Sequence, residues 1–211
     1  MEYYSKKSID EYTSELASKS PVPGGGGTCA LVGALAAALG HMVGSLTLGK
    51  KKYAAVEPEI LRLMEEMGEI QNNLLGLIDR DPVVFEPLSR AYGLPKETPE
   101  QQAEKERIME KCLKDAASVP ADIMHACAMA IDLLAEFAEK GTALAVSDAG
   151  VGAVFAGAAL KGAALNIYIN TKYMKDRAYA EKLDHEAEQL LSVYPAKAES
   201  VYNAVSSRLK F

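Results

Sequence analysis

The chain has 211 residues, 49% of them hydrophobic and 25% charged, with a net charge of −6 and three cysteines. That apolar share excludes an intrinsically disordered chain, and three scattered cysteines (Cys29, Cys112, Cys127) exclude a disulfide scaffold and indicate a reducing compartment. The acidic balance argues against a general nucleic-acid binder; Met1 to Ser20 is charged and has no apolar signal core, so a cytoplasmic location is expected.

Apolar residues recur at i, i+3, i+4 along the chain and period-two alternation is absent, which predicts an all-α fold without sheet. Ser8 and Glu11 form a capping box for a short first helix carrying Ile9, Tyr12 and Leu16 on one stripe. Pro21-Val22-Pro23-Gly24-Gly25-Gly26-Gly27 reads as a loop, and a second helix is predicted from Thr28 to Leu48. A third covers Ala54 to Arg80, after which Asp81-Pro82 reads as the cap and first residue of a short helix ending at Gly93. Thr98 with Gln101 repeats the capping signal for a helix to Ala117. Ser118 and Pro120 restart or kink it toward Lys140, and Gly141 ends it. Ser147-Asp148 opens a sixth helix to Asn170, and Asp176 to Leu209 forms the last, bent at Pro195. No linker marks a boundary, so residues 1–211 are expected to be one helical domain.

Two of these helices are built from small residues: Gly33, Ala37, Gly40 and Gly44 on the second, and Gly150, Ala153 and Gly157 on the sixth. A glycine inside a helix costs about 1 kcal/mol relative to alanine, so these positions imply close approach of backbones or of a ligand. Thr28 to Gly49 has the length of a membrane span, but His41, Ser45, Thr47 and its many Ala and Gly lower its hydropathy; a buried central helix is the expectation, with no membrane partner.

The Gly24–Gly27 stretch presents unshielded N–H groups before a helix N-terminus, an arrangement that suits an anion or carboxylate and also serves as a plain connection. Lys50-Lys51-Lys52 could add positive charge for a polyanionic tail, or simply compensate a helix dipole. Metal binding is not expected: Asp122-x-x-His125 is one acid–histidine pair where a di-iron bundle needs two, and it reads as a surface contact. Asp148, at the mouth of an Ala/Gly helix, is either a cap or a partly desolvated carboxylate able to transfer a proton, and Asp81 poses the same choice. Asn166 and Asn170, at i and i+4, point the same way from that helix, as a buried network or a heterocycle site requires.

The ordered set Pro21-Val22-Pro23-Gly24-Gly25-Gly26, the small-residue helix followed by Lys50 and Tyr53, Asp81 with Phe85, Ala116-Ala117-Ser118-Val119-Pro120, and Ser147-Asp148 with Asn166 and Asn170 resembles the C-terminal family of formiminotransferase-cyclodeaminases, from about Ser8 to Leu209. Gly27 departs from it, since the family usually has a small hydroxyl residue or alanine there. The resemblance implies an all-helical homodimer acting on tetrahydrofolate derivatives, polyglutamylated or not, with no metal and no cofactor beyond the folate. Its members close 5-formiminotetrahydrofolate to 5,10-methenyltetrahydrofolate with loss of ammonia, or interconvert the methenyl and 10-formyl forms with water. Framed on the cyclodeaminase domain, the resemblance favours the first activity, with the cyclohydrolase as alternative and a non-catalytic anion-binding helical module as a third reading. Asp148 is the first catalytic candidate and Asp81 the second. Pro23, Gly24, Gly25, Gly26, Gly27, Lys50, Lys51, Tyr53, Ser147, Asn166 and Asn170 are the candidate substrate-binding residues.

Overall fold

The computed structural model describes residues 3–210, and among them every regular element is helical. Six α-helices follow one another: α1 (Ile9–Leu16), α2 (Gly25–Thr47), α3 (Glu57–Tyr92), α4 (Pro99–Lys140), α5 (Val146–Thr171) and α6 (Arg177–Leu209), with 3₁₀ turns at Tyr4–Lys6, Lys51–Val56 and Ala143–Ala145. Both capping boxes form as their sequences predict: Ser8 and Thr98 accept from the N–H groups of Glu11 and Gln101, whose side chains return the bond.

The bundle is four-sided. α2 packs on α3 and α5, α4 packs on the same two helices, and α6 lies against α5 and α4. α4 contributes the bulkiest part of the core, burying Ile123, Met124, Ile131, Leu134 and Phe137. α2 and α5 do pack together, as their small faces predict, but central burial holds only on their inner side. Their outer faces expose Leu35, Met42, Leu46, Val154, Leu165 and Ile169. The glycines of α2 serve mainly α3 and α4: a Cβ at Gly44 would meet Met64 Cγ at 2.4 Å, and one at Gly40 would meet Met67 Cε at 2.8 Å. α2, α4 and the 143–171 segment are each long and apolar enough to cross a membrane by length and composition; their apolar windows are 44, 67 and 56% buried within the bundle.

Two predicted breaks are bridged. α3 runs unbroken through Pro82 and Pro87, and α4 through Pro120, while α6 continues across Pro195. An interior proline removes one helical hydrogen bond, at a cost of about 3 kcal/mol. Here the apolar stripe of Leu74, Ile78, Pro82 and Leu88 is buried on both sides of the proline, which keeps the two halves on one axis. Asp81 is therefore an interior residue of α3 and not the cap of a new helix. Likewise Gly25, Gly26 and Gly27 are the first turn of α2, with Gly24 as its N-cap, so the expected loop ends earlier than Thr28.

Candidate active site

The N-terminus of α2 needs an acceptor because the first N–H groups of a helix have no carbonyl partner, and Gly24 offers no side chain. Asp81 supplies it from the neighbouring helix: its Oδ2 accepts from Gly27 N–H at 2.9 Å. The side chain lies flat against the helix start. A Cβ at Gly26 would sit 2.2 Å from Asp81 Oδ1, so only glycine lets the carboxylate reach this place. At Gly27 a Cβ would meet Asp81 Oδ2 and the Tyr12 hydroxyl at 3.5 Å, ordinary contacts that leave room for alanine. Thr28 Oγ1 donates to Gly24 carbonyl at 2.8 Å, and Tyr12 Oη lies 3.4 Å from that hydroxyl, tying α1 to the same turn. The Val22–Pro23 peptide that leads in is cis, and the Val22 carbonyl accepts from Ser20 Oγ.

Asp81 opens into a cavity of about 330 Å³, walled by the glycine turn, Phe85 and Tyr92 of α3, and Asn166, Ile169 and Asn170 of α5. Asn166 Nδ2 donates to Gly162 carbonyl at 2.9 Å and Asn170 Nδ2 to Asn166 carbonyl at 2.7 Å. Their amide oxygens therefore remain acceptors with no protein donor among the described residues. Gly25 stands opposite Asn166, where a Cβ would lie 3.3 Å from the amide. Burial pushes the Asp81 carboxyl above its ordinary range, partly offset by the Gly27 N–H. Nearby, burial pushes the Cys29 thiol up to about 11, with Asp81 adding to the effect, so it is no ready nucleophile. The cavity thus joins a titratable carboxylate, two amide acceptors and the N–H groups of Gly25 and Gly26, which have no acceptor among the described residues. That set can bind the polar edge of a heterocycle and move a proton beside it.

The other sequence candidates gather elsewhere. Lys50 Nζ donates to Thr142 Oγ1 at 3.1 Å and Tyr53 Oη accepts from Ala143 N–H at 3.1 Å, fixing the turn that leads into α5. Ser147 and Asp148 lie in the first turn of that helix. At 1.5 Å per residue, the 18 residues from Asp148 to Asn166 span about 27 Å, and the 22 from Gly25 to Thr47 about 33 Å. Within one chain, Lys50, Lys51, Tyr53, Ser147 and Asp148 cannot share a small ligand with the glycine turn, because helix length separates them. Within one chain Asp148 therefore does not stand beside Asn166 and Asn170; the carboxylate that does is Asp81. Ser147 instead borders an apolar groove with Val151, Phe155 and Tyr202.

Asp122 and His125 form no metal pair: Asp122 Oδ2 accepts from Arg80 at 2.7 Å, and His125 Nε2 lies 2.7 Å from Glu186. Among the described residues no group of three His, Cys, Asp or Glu is placed to hold a metal. Tyr92 escaped the sequence reading, although Asp81, Phe85, Leu88 and Tyr92 at i, i+4, i+7 and i+11 mark a single stripe of α3 once that helix is read as continuous.

Residues 8–189 match the family model described as formiminotransferase-cyclodeaminase. A methenyltetrahydrofolate cyclohydrolase from Methylorubrum extorquens is 41% identical over 96% of this chain and 98% of its own length. The formimidoyltransferase-cyclodeaminase of Rattus norvegicus is 30% identical over 95% of this chain, which spans 37% of that longer protein. The crystal structure of a formiminotetrahydrofolate cyclodeaminase from Thermotoga maritima superposes with a TM-score of 0.81 at 31% identity, covering 96% of this chain and 95% of the other. The chain belongs to the formiminotransferase-cyclodeaminase family, a family of enzymes.

Proposed function

We propose that this family member acts on the one-carbon unit bridging N5 and N10 of tetrahydrofolate, as a methenyltetrahydrofolate cyclohydrolase. The carrying observation is the half-buried Asp81 carboxylate facing Asn166 and Asn170 across a cavity at the start of α2. The order of the two activities is the reverse of that favoured by the sequence, because the cyclohydrolase from Methylorubrum extorquens is 41% identical against 30–31% for the cyclodeaminases compared.

In this reading the pterin edge meets the amide oxygens of Asn166 and Asn170, which accept its N–H groups. Asp81 takes a proton from water as the water oxygen bonds to the methenyl carbon. The carbon–N5 bond then breaks, N5 keeps the electron pair and receives the proton from Asp81, and the new hydroxyl loses its proton to give the 10-formyl product. Burial raises the Asp81 pKa above the ordinary carboxylate range, which makes its protonated form more accessible to a group that must both accept and return a proton. Cyclodeamination, the second reading, is favoured by the match to the Thermotoga maritima structure. It asks the same of Asp81: N10 adds to the formimino carbon, loses its proton to the carboxylate, and ammonia leaves with a proton.

The outer faces of α2 and α5, with Leu35, Met42, Val154 and Ile169 exposed, are assigned to a second copy of the chain in a homodimer. Purified protein mixed with 5,10-methenyl- and, separately, 5-formiminotetrahydrofolate tests the functional reading by the methenyl absorbance. Loss of absorbance from the first supports the cyclohydrolase. Growth of absorbance with release of ammonia from the second supports the cyclodeaminase. Turnover of neither, with folate still bound, leaves an anion-binding module.

A further inference from the structure

Gly24 to Gly27 carry no side chain that could hold the turn against Asp81, so whatever fixes the turn must lie behind it. The brace comes from α1. Thr28 Oγ1 donates its only hydrogen to the Gly24 carbonyl at 2.8 Å, and the Thr28 N–H reaches the same carbonyl at 3.1 Å. With that hydrogen spent, Thr28 Oγ1 can only accept at its 3.4 Å contact with Tyr12 Oη, so the phenol is the donor. A directed chain results, from Tyr12 through Thr28 to the carbonyl of the helix cap.

Tyr12 is itself held firmly. It is the one buried residue of α1, at 4% exposure, and its ring meets that of Tyr4 edge-on at 6.3 Å. Ser5 anchors the preceding turn to α3, donating its N–H and its hydroxyl to the two oxygens of Asp79. Phenylalanine would fill the same space with no hydroxyl to satisfy, so the buried phenol serves more than packing. A Cβ at Gly27 would lie 3.5 Å from both Tyr12 Oη and Asp81 Oδ2, which places phenol and carboxylate beside the same glycine. Burial pushes the Tyr12 phenol above its ordinary range and the Asp81 charge adds to this, so it stays a donor at neutral pH.

We infer that Tyr12 is a positioning residue for the proton transfer at Asp81: through Thr28 and the Gly24 carbonyl it fixes the first turn of α2, and with it the Gly27 N–H on which the carboxylate rests. The inference rests on the proton-transfer reading of Asp81. Tyr12 does not line the cavity and touches no reacting atom. Without the brace, Gly27 N–H drifts from Asp81 Oδ2 and the carboxylate loses the donor that partly offsets its burial, which favours the protonated form further. The titratable groups beside Asp81 are Tyr12 from α1 and Cys29 from α2, the thiol pushed up to about 11; α4 and α5 face the cavity with Ala116, Pro120 and the neutral amides.

The test measures turnover of 5,10-methenyltetrahydrofolate against pH, together with thermal melts, for Tyr12→Phe, Thr28→Val, their double variant and Thr28→Ser. Tyr12→Phe is expected to lower kcat about tenfold with KM within about threefold, the effect of a slightly misplaced catalytic group. The rising limb of kcat/KM, which reports the carboxylate acting as base, moves to higher pH. Thr28→Val does the same, the double variant is no worse than either single one because both break one chain, and Thr28→Ser restores wild-type behaviour. An unchanged kcat and pH limb in folded Tyr12→Phe, whatever its melting temperature, overturns the inference, since a merely structural hydroxyl moves only the melt. Losses that add in the double variant, or Thr28→Ser as impaired as Thr28→Val, overturn it equally, and the Thr28 pair decides the matter if Tyr12→Phe fails to fold. Asp81→Asn measured alongside keeps the two readings apart. Its normal turnover removes the proton-transfer role and this inference with it, whereas its impairment beside an unaffected Tyr12→Phe removes the positioning role alone.

Discussion

Replacing Asp81 by asparagine separates its chemical role from its structural one. The amide keeps the shape and an acceptor oxygen 2.9 Å from Gly27 N–H, so the first turn of α2 stays capped. A neutral acceptor is weaker than a charged one by about 1 kcal/mol, and its interaction with the helix dipole is smaller by about 0.3–1 kcal/mol. Against this, the half-buried carboxylate no longer has to be desolvated. Because the Asp81 pKa is raised, desolvation outweighs those attractions, and the variant is expected to match or exceed wild-type stability at neutral pH, within about 1 kcal/mol. The sign with pH follows: the folded state favours protonated Asp81, a contribution fully present below the unfolded-state pKa and lost as pH rises through the higher folded-state pKa. Wild type therefore loses stability relative to Asp81→Asn across that window, which thermal melts at a series of pH values will read. Activity behaves oppositely. Removing a general acid–base group lowers kcat by about 10²–10⁴-fold. Folate turnover within a fewfold of wild type by a well-folded Asp81→Asn would refute the proton-transfer role and leave Asp81 as a cap supplied by another helix.

Gly26→Ala is expected to displace the carboxylate, since its Cβ would fall 2.2 Å from Asp81 Oδ1, and to cut kcat about 100-fold, while Gly27→Ala retains activity and melts at the same or a higher temperature. Asp148→Asn is expected to change kcat less than about threefold in the same absorbance assay, because Asp148 stands outside the cavity. Leu165→Asp or Leu35→Glu places charge on the outer α5 or α2 face and should convert a dimer to a monomer in sedimentation without loss of helical circular dichroism. Leu134→Ala, which truncates a fully buried side chain of α4, should destabilise by about 2–5 kcal/mol in denaturant unfolding.

Helix identity was readable in the order of residues because it depends on local spacing and caps: the Ser8/Glu11 and Thr98/Gln101 boxes and the Gly141 stop form where the sequence puts them, whereas of the first helix's stripe only Tyr12 is buried and Ile9 and Leu16 stay exposed. The chemistry of the glycine turn and of Asn166 with Asn170 was readable too, since unpaired N–H groups and two amides at i, i+4 are local properties. Whether Asp81 capped its own helix or another was not. A proline reads as a break from its neighbours alone, but at Pro82 burial on both sides outweighs the lost hydrogen bond and carries α3 onward. That continuity turns Asp81 toward Gly27, 54 residues away, and makes Tyr92 the edge of the same cavity. The sequence likewise offered Asp148 and Lys50 as partners of the glycines and amides, having no measure of distance between them. Only the packed bundle decides that, because α2 and α5 are rigid rods of roughly 30 Å whose two ends cannot meet one small ligand within a single chain.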